Sequence, residues 1–283
     1  MNIKFKNAGA DFYIPSGNLC DLEKIDHLAI CAHQDDAEIM AFQGIKACLP
    51  PSNKKFMAVV VTDGAGSARS GEYAGVTNDE MIAIRRAEQR KAADIGRYGA
   101  CLQLNYKSSV IKTKNADFES DILTLFTKIS PKIVYIHNIF DKHATHVAVF
   151  LNTINALKTL PKDKRPEKIY ACEVWRGLDW LPDDKKVYFD VTHKNDELIT
   201  ELLGAFKSQV VGGKRYDLAT IGRWLANATY SRSHEVDDAK RVALGMDLTN
   251  LIYLNGDILE YANGILSDFS KGILDNLGGN IWQ

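Results

Sequence analysis

No Cys-x-x-Cys pair occurs in this chain, and its five cysteines (Cys20, Cys31, Cys48, Cys101 and Cys172) are odd in number and widely scattered. Neither a disulfide framework nor a thiolate zinc site is therefore expected; a reducing, cytoplasmic setting fits better. Excess charge of either sign is missing too: 35 basic residues face 36 acidic ones, for a net charge of -1. Proteins built to hold nucleic acid or an anionic membrane surface carry a basic surplus, so neither partner is expected. No apolar run is long enough to span a bilayer, and the opening MNIKFKNAGADF lacks the hydrophobic stretch of a secretory signal. Repeats, low-complexity tracts and Pro/Gly/Ser linkers are also absent, so residues 1–283 read as one domain. What is there is ordinary for a globular protein: 46% apolar and 25% charged residues, with enough chain to bury a core.

Short apolar runs alternate with helical patterns. Strands are expected at 27–32, 56–64, 101–106, 132–137, 168–174 and 187–191, and helices at 36–48, 78–97, 117–129 and 143–159. The first, second and fourth runs are apolar on consecutive positions, as in strands covered on both faces. The alternation predicts an α/β fold: a Rossmann-like, doubly wound, mostly parallel sheet flanked by helices, with right-handed crossovers. This core spans about 20–192. A C-terminal helical extension follows over about 193–283, in which Leu254, Ile258, Leu259, Ile265, Leu266, Phe269, Ile273 and Leu277 recur at helical spacing. That stripe either packs on its own domain or forms a homo-oligomer contact.

Ligands of doubly wound sheets sit at the carboxyl ends of the strands. Three segments carrying reactive side chains fall there. His33-Gln34-Asp35-Asp36 follows the first strand, Thr62 to Ser67 the second, and Asp141, His143 and His146 the fourth. Adjacent carboxylates repel unless a positive charge sits beside them. Two imidazoles and one carboxylate with an open fourth position form the ligand set of a catalytic zinc site, and His33, Asp36 and His146 supply it. His143 and His146 share a face if a helix starts there, so His146 could ligate while His143 faces a substrate. A Gly-x-Ser-x-Gly elbow, an HExxH helix and a nucleobase-deaminase signature are all missing.

AHQDDAEI resembles the A-H-P-D-D-x-E-x signature of the PIG-L/LmbE-like deacetylases, the zinc-dependent N-acetylglucosaminyl deacetylase family. VVVTDGAGS is similar to that family's second-strand motif. The helix pattern from Arg85 through Glu88 and Ala92 to Gly96 and the late DKHATH match in order, over roughly 26–150. Gln34 stands where the family usually has proline, which should loosen the loop. Met40 to Gln43 replace commonly glycine-rich positions, so the helix is expected to enter the site differently. Thr145 replaces an aspartate, leaving Asp141 as the nearby acid for His143.

The resemblance implies removal of an acetyl group from the amide nitrogen of an N-acetylated sugar. It implies His33, Asp36 and His146 as ligands of Zn2+ or another divalent transition metal. Asp35 would be the base acting on water, and His143, in its protonated form, would stabilise the oxyanion opposite the metal. Arg85 would reach substrate hydroxyls or an anionic group, or else pair with a nearby acid, and Asp63 with the 64–67 turn would hydrogen-bond a sugar. Trp175 and Trp180 form either an aromatic wall for a sugar ring or part of the core or an interface. Another metal-dependent amide, ester or phosphoester hydrolase ranks second, and a non-catalytic sugar-binding relative third.

Overall fold

The computed structural model describes residues 3–15 and 22–278; Cys20 and both ends of the 1–283 reading lie outside the described residues. Eight strands form one sheet: β1 (Asp11–Tyr13), β2 (Ile25–Cys31), β3 (Lys55–Thr62), β4 (Ala100–Tyr106), β5 (Ile133–His137), β6 (Lys168–Cys172), β7 (Lys186–Asp190) and β8 (Val242–Asp247). Their spatial order is β1-β4-β3-β2-β5-β6-β8-β7. The central five strands are parallel. Antiparallel neighbours flank them: β1 on β4 at one edge, then β8 on β6 and β7 on β8 at the other. The chain winds from β2 outward to β4, then returns to β5 beside β2. The switch in direction between β2 and β5 opens the crevice where such folds bind ligands.

The helices are α1 (Asp36–Met40), α2 (Phe42–Cys48), α3 (Asn78–Ile95), α4 (Ser108–Ile111), α5 (Ala116–Phe126), α6 (Ala144–Thr159), α7 (Asp196–Gly204), α8 (Lys207–Val210), α9 (Tyr216–Thr229), α10 (Thr249–Tyr253) and α11 (Ile258–Gly278). They cover both faces of the sheet, which is why the central strands are apolar at consecutive positions. On β2, Leu28 and Ile30 join a cluster with Phe118 and Ile122 of α5 and Phe150 and Ile154 of α6. The intervening Ala29 and Cys31 face the other layer, with Ile45 of α2, Ala92 of α3, Leu202 of α7 and Trp224 of α9. Each large apolar side chain so buried contributes about 1.5–3 kcal/mol. A capping box fixes the start of α3, with Glu80 N–H donating to Thr77 Oγ1 and Thr77 N–H to Glu80.

All six expected strands form. The single helix expected over 36–48 instead breaks at Ala41 into α1 and α2. The stretch after residue 193 is not purely helical: β8 inserts between β6 and β7, tying this part of the chain into the same sheet. Of the C-terminal apolar stripe, Ile265 is buried and Phe269 meets Trp180 with ring centroids 5.8 Å apart, while Leu259, Leu266, Ile273 and Leu277 are exposed. Cys31, Cys48, Cys101 and Cys172 are free and buried. Among the described residues, no helix is long and apolar enough to cross a membrane.

Candidate metal centre and active site

The loop after β2 turns sharply, because Asp35, the residue preceding α1, is left-handed with φ 90°. That turn brings three donor atoms together at the switch point. His33 Nδ1 lies 3.1 Å from His146 Nε2 and 3.3 Å from Asp36 Oδ2, and His146 Nε2 lies 3.4 Å from Asp36 Oδ2. Four donors about 2.1 Å from a central ion stand about 3.4 Å from one another in a tetrahedron, so this triangle matches one face of a four-coordinate site. The His33 backbone N–H donates to Asp36 Oδ2 at 2.7 Å, which orients the carboxylate.

Neighbouring groups fix the imidazoles. Asp141 Oδ2 lies 3.4 Å from His146 Nδ1, on the side of the ring away from the Nε2 that faces His33 and Asp36. Burial pushes His146 down to about 4, so it is neutral, as a ligand must be. Burial raises the Asp36 carboxyl, but His146 and His137 beside it more than reverse that and hold it well below the ordinary carboxylate range. Two overlapping donor groups lie within 4.8 Å, namely His33, His143 and His146, and Asp36, His137 and His146. His137 is the less suitable ligand. Its Nε2 already accepts the Ala32 N–H at 2.8 Å, and its ring stacks on His146 with centroids 3.9 Å apart.

Asp141 does not polarise the His143 ring: its Oδ1 accepts only the His143 backbone N–H, and its Oδ2 accepts the Trp175 N–H. Its carboxylate therefore serves His146 rather than His143. Gln34 does not loosen the loop either. Fully buried, it donates to the Thr62 carbonyl and to Gln103 Oε1, each at 3.2 Å. Gly64, with φ 78°, makes room for it, since a Cβ there would sit 2.6 Å from Gln34 Oε1.

Asp35 is held from two sides. Gln89 Oε1 accepts its backbone N–H at 3.2 Å, and Arg85 Nη2 donates to its Oδ2 at 2.8 Å. Arg85 is buried, donates also to the Gln34 carbonyl, and pairs through Nη1 with Glu88 at 3.1 Å. Both acids consume the guanidinium, so Arg85 pairs with acids in the manner named as one of its two expectations. Burial pushes Asp35 up to about 6, with Arg85 opposing and Asp36 adding to the rise. Gln89 and Tyr98 both donate to Glu38, whose carboxyl burial raises to about 7.

A family model described as PIG-L, GlcNAc-PI de-N-acetylase, matches residues 28–157. The match spans 130 of the 283 residues. A search of curated proteins gives no match. Among solved structures, the chain is similar to N,N'-diacetylchitobiose deacetylase from Pyrococcus horikoshii, at 17% identity and a TM-score of 0.63 over 81% of this chain and 85% of that one. The 4-carboxy-2-hydroxymuconate hydratase of Pseudomonas putida KT2440 shares the fold at 16% identity and a TM-score of 0.61, over 79% and 96%. The A40926 pseudoaglycone deacetylase follows at 14% and 0.57, over 79% and 97%. At these identities the likeness establishes a shared fold, and the hydratase carries that fold with a different reaction.

The segment matched by the PIG-L model forms only part of the site. A cavity of about 460 Å³ opens over His33, Asp35 and Asp36, with His143 and Thr145 in its wall. Residues beyond the matched segment complete it, among them Trp175, Gln209, Lys214, Tyr216 and Arg223. Trp175 stacks on His143, with centroids 5.9 Å apart, and is wall; Trp180 packs on Phe140 and Phe269 and is core. Asp63 is buried and accepts the Ala65 N–H, shaping the turn while Gly64, Gly66 and Ser67 line the cavity. Sequence reasoning missed the contribution of His137. Its only signal was a histidine at the carboxyl end of a parallel strand.

Proposed function

We propose that the chain is a metal-dependent hydrolase that removes the acetyl group from the amide nitrogen of an N-acetylated amino sugar or sugar conjugate. The donor triangle of His33, Asp36 and His146, with Asp35 at the same cavity, carries this reading. These three residues would hold Zn2+ or another divalent transition metal. When bound, such an ion acidifies water and polarises the amide carbonyl.

The chain's own residues supply the remaining chemistry. Arg85 occupies Oδ2 of Asp35, which leaves Oδ1 to take the proton of the attacking water and then deliver it to the departing nitrogen. Gln89 and the left-handed turn hold that carboxylate at the cavity. His143 Nδ1 has no hydrogen-bond partner within the protein, and burial together with nearby His33 lowers its pKa. It therefore serves as a neutral donor toward the developing oxyanion. Trp175 and Tyr216 give the sugar an aromatic wall. We read 1–283 as one domain, a reading supported by the position of β8 between β6 and β7.

Acetate release from a panel of N-acetylated amino sugars tests the assignment, with wild type compared against Asp35→Asn at equal metal content. The reading expects release by wild type and a loss of about 10²-fold or more in the variant. One bound metal per chain with no release from any sugar would refute the sugar assignment. Esters, phosphoesters and water addition to unsaturated acids would then be tried, the last because the hydratase shares the fold.

A further inference from the structure

We propose that the substrate carries an anionic substituent, a phosphate or a carboxylate, close to its acetamido sugar ring, and that Lys112 and Lys214 bind it. This rests on the hydrolase reading and names the class of sugar that the site takes. Four cations line the cavity: Arg85, Lys112, Lys214 and Arg223. Arg85 is committed to Asp35 and Glu88, and Arg223 donates to the Val174 carbonyl. Lys112 and Lys214 have no carboxylate within ion-pair distance among the described residues. The cavity's own acids, Asp35 and Asp36, are engaged by Arg85 and by the histidines. In a chain of net charge -1, two unpaired lysines in the wall of one cavity are a local excess rather than overflow from a basic surface.

The backbone that presents Lys214 is tightly specified. Gly213 is left-handed at φ 106°, and a Cβ on Gly212 would lie 1.8 Å from the Ser208 carbonyl oxygen, so the turn requires glycine at both positions. The Lys214 N–H donates to the Gln209 carbonyl at 2.8 Å, and Ser70 Oγ donates to the Gly212 carbonyl. Behind the turn, Ser208 donates from N and Oγ to Glu88 at 2.6 and 2.8 Å. Lys214 Nζ sits 5.2 Å from the centroid of Trp175, whose ring stacks on His143. The cation is therefore one aromatic ring away from the imidazole proposed to face the oxyanion. That distance suits an anion on the reacting sugar or on the group attached to it, not one several sugars away.

The test has two arms. Calorimetry measures binding of glucosamine, glucosamine 6-phosphate, glucosamine 1-phosphate and muramic acid to the whole protein, and hydrolysis is measured with the N-acetyl forms of the same sugars. At least one anionic sugar should bind about tenfold or more tighter than glucosamine, with an advantage that shrinks as salt rises. In the Lys112→Gln/Lys214→Gln double variant the anionic-to-neutral ratio should fall toward one. Phosphates and muramic acid separate the two kinds of anion. Equal binding of neutral and anionic sugars, or a preference that survives the double variant, would overturn the proposal. A binding preference without turnover supports the anion site and sinks only the hydrolase reading, whereas turnover without charge preference does the reverse.

Discussion

Replacing Arg85 with methionine tests the link between stability and the site most directly. The substitution keeps much of the side-chain volume but removes the guanidinium that pairs with Asp35 and Glu88 and donates to the Gln34 carbonyl. Removing one partner of a buried ion pair costs about 3–5 kcal/mol, because the other charge stays buried without compensation. At about 2–4 °C per kcal/mol for a chain of this size, the thermal midpoint should drop by about 6–20 °C at pH 8. Glu88 keeps the N–H and hydroxyl of Ser208, so most of the damage falls on Asp35. Adding Asp35→Asn to the variant should therefore restore part of the loss, by about 1 kcal/mol or more.

The pH dependence has a definite sign. Asp35 is already raised to about 6 with the guanidinium beside it, and removing that opposing charge raises it further. A carboxyl whose folded pKa exceeds its unfolded value holds its proton better in the native state. Its contribution is present in acid and is lost as pH rises through the folded pKa. The gap between variant and wild type should be widest at pH 8 and narrow below pH 6. Thermal and urea denaturation at several pH values measure both effects. A loss below about 1 kcal/mol at pH 8, or a gap unchanged between pH 5 and 8, would refute the reasoning.

Three further outcomes follow. Burial, reinforced by Lys54, lowers His27 to about 4, so its contribution is present above the unfolded value of 6.5 and is lost as pH falls through 4. The loss should reach up to about 3 kcal/mol, and His27→Gln should flatten urea stability between pH 6.5 and 4; an unchanged slope would reject it. Gly212→Ala forces a Cβ onto the Ser208 carbonyl and should cost about 1–3 kcal/mol and weaken sugar binding, whereas a midpoint equal to wild type would show that the turn relaxes freely. Under the proposed metal reading, chelator should lower the thermal midpoint, and metal at a hundredfold over its Kd should add about 2.7 kcal/mol. His33→Ala should abolish that response; if it persists, His33 is not a ligand.

The parallel core was legible in the sequence because strands buried on both faces leave an unbroken apolar signature, as HLAIC and FMAVVV do. β1 and β8 left no such signature. Asp11–Tyr13 is three half-buried residues, and β8 is interrupted by Gly245, where a Cβ would meet the Phe189 ring at 2.8 Å. His33, Asp36 and His146 could be grouped in advance because strand ends converge in this fold, and they do converge. The partnership of Arg85 with Asp35 spans 50 residues and depends on how α3 lies against the loop after β2, which no local pattern encodes. Gln34 shows the same limit: substitution of a proline suggested slack, yet tertiary hydrogen bonds made the side chain an anchor. Lys112 and Lys214 look like ordinary surface lysines in sequence, and only the shared cavity relates them.

Asp35, Arg85, Glu88 and Ser208 form one unbroken line of polar contacts from the proposed base to the turn that presents Lys214. Ser208 belongs to the part of the chain beyond the segment matched by the PIG-L model. On the proposed roles of Asp35 and Lys214, recognition and reactivity are thus mechanically joined, and the tail is not an independent cassette. A chimera that imports another relative's tail inherits its specificity turn but forfeits the counterweight to Glu88, unless a donor returns at position 208. Retuning the turn by substitution would consequently take paired changes on both sides of that joint, at Glu88 and at Ser208.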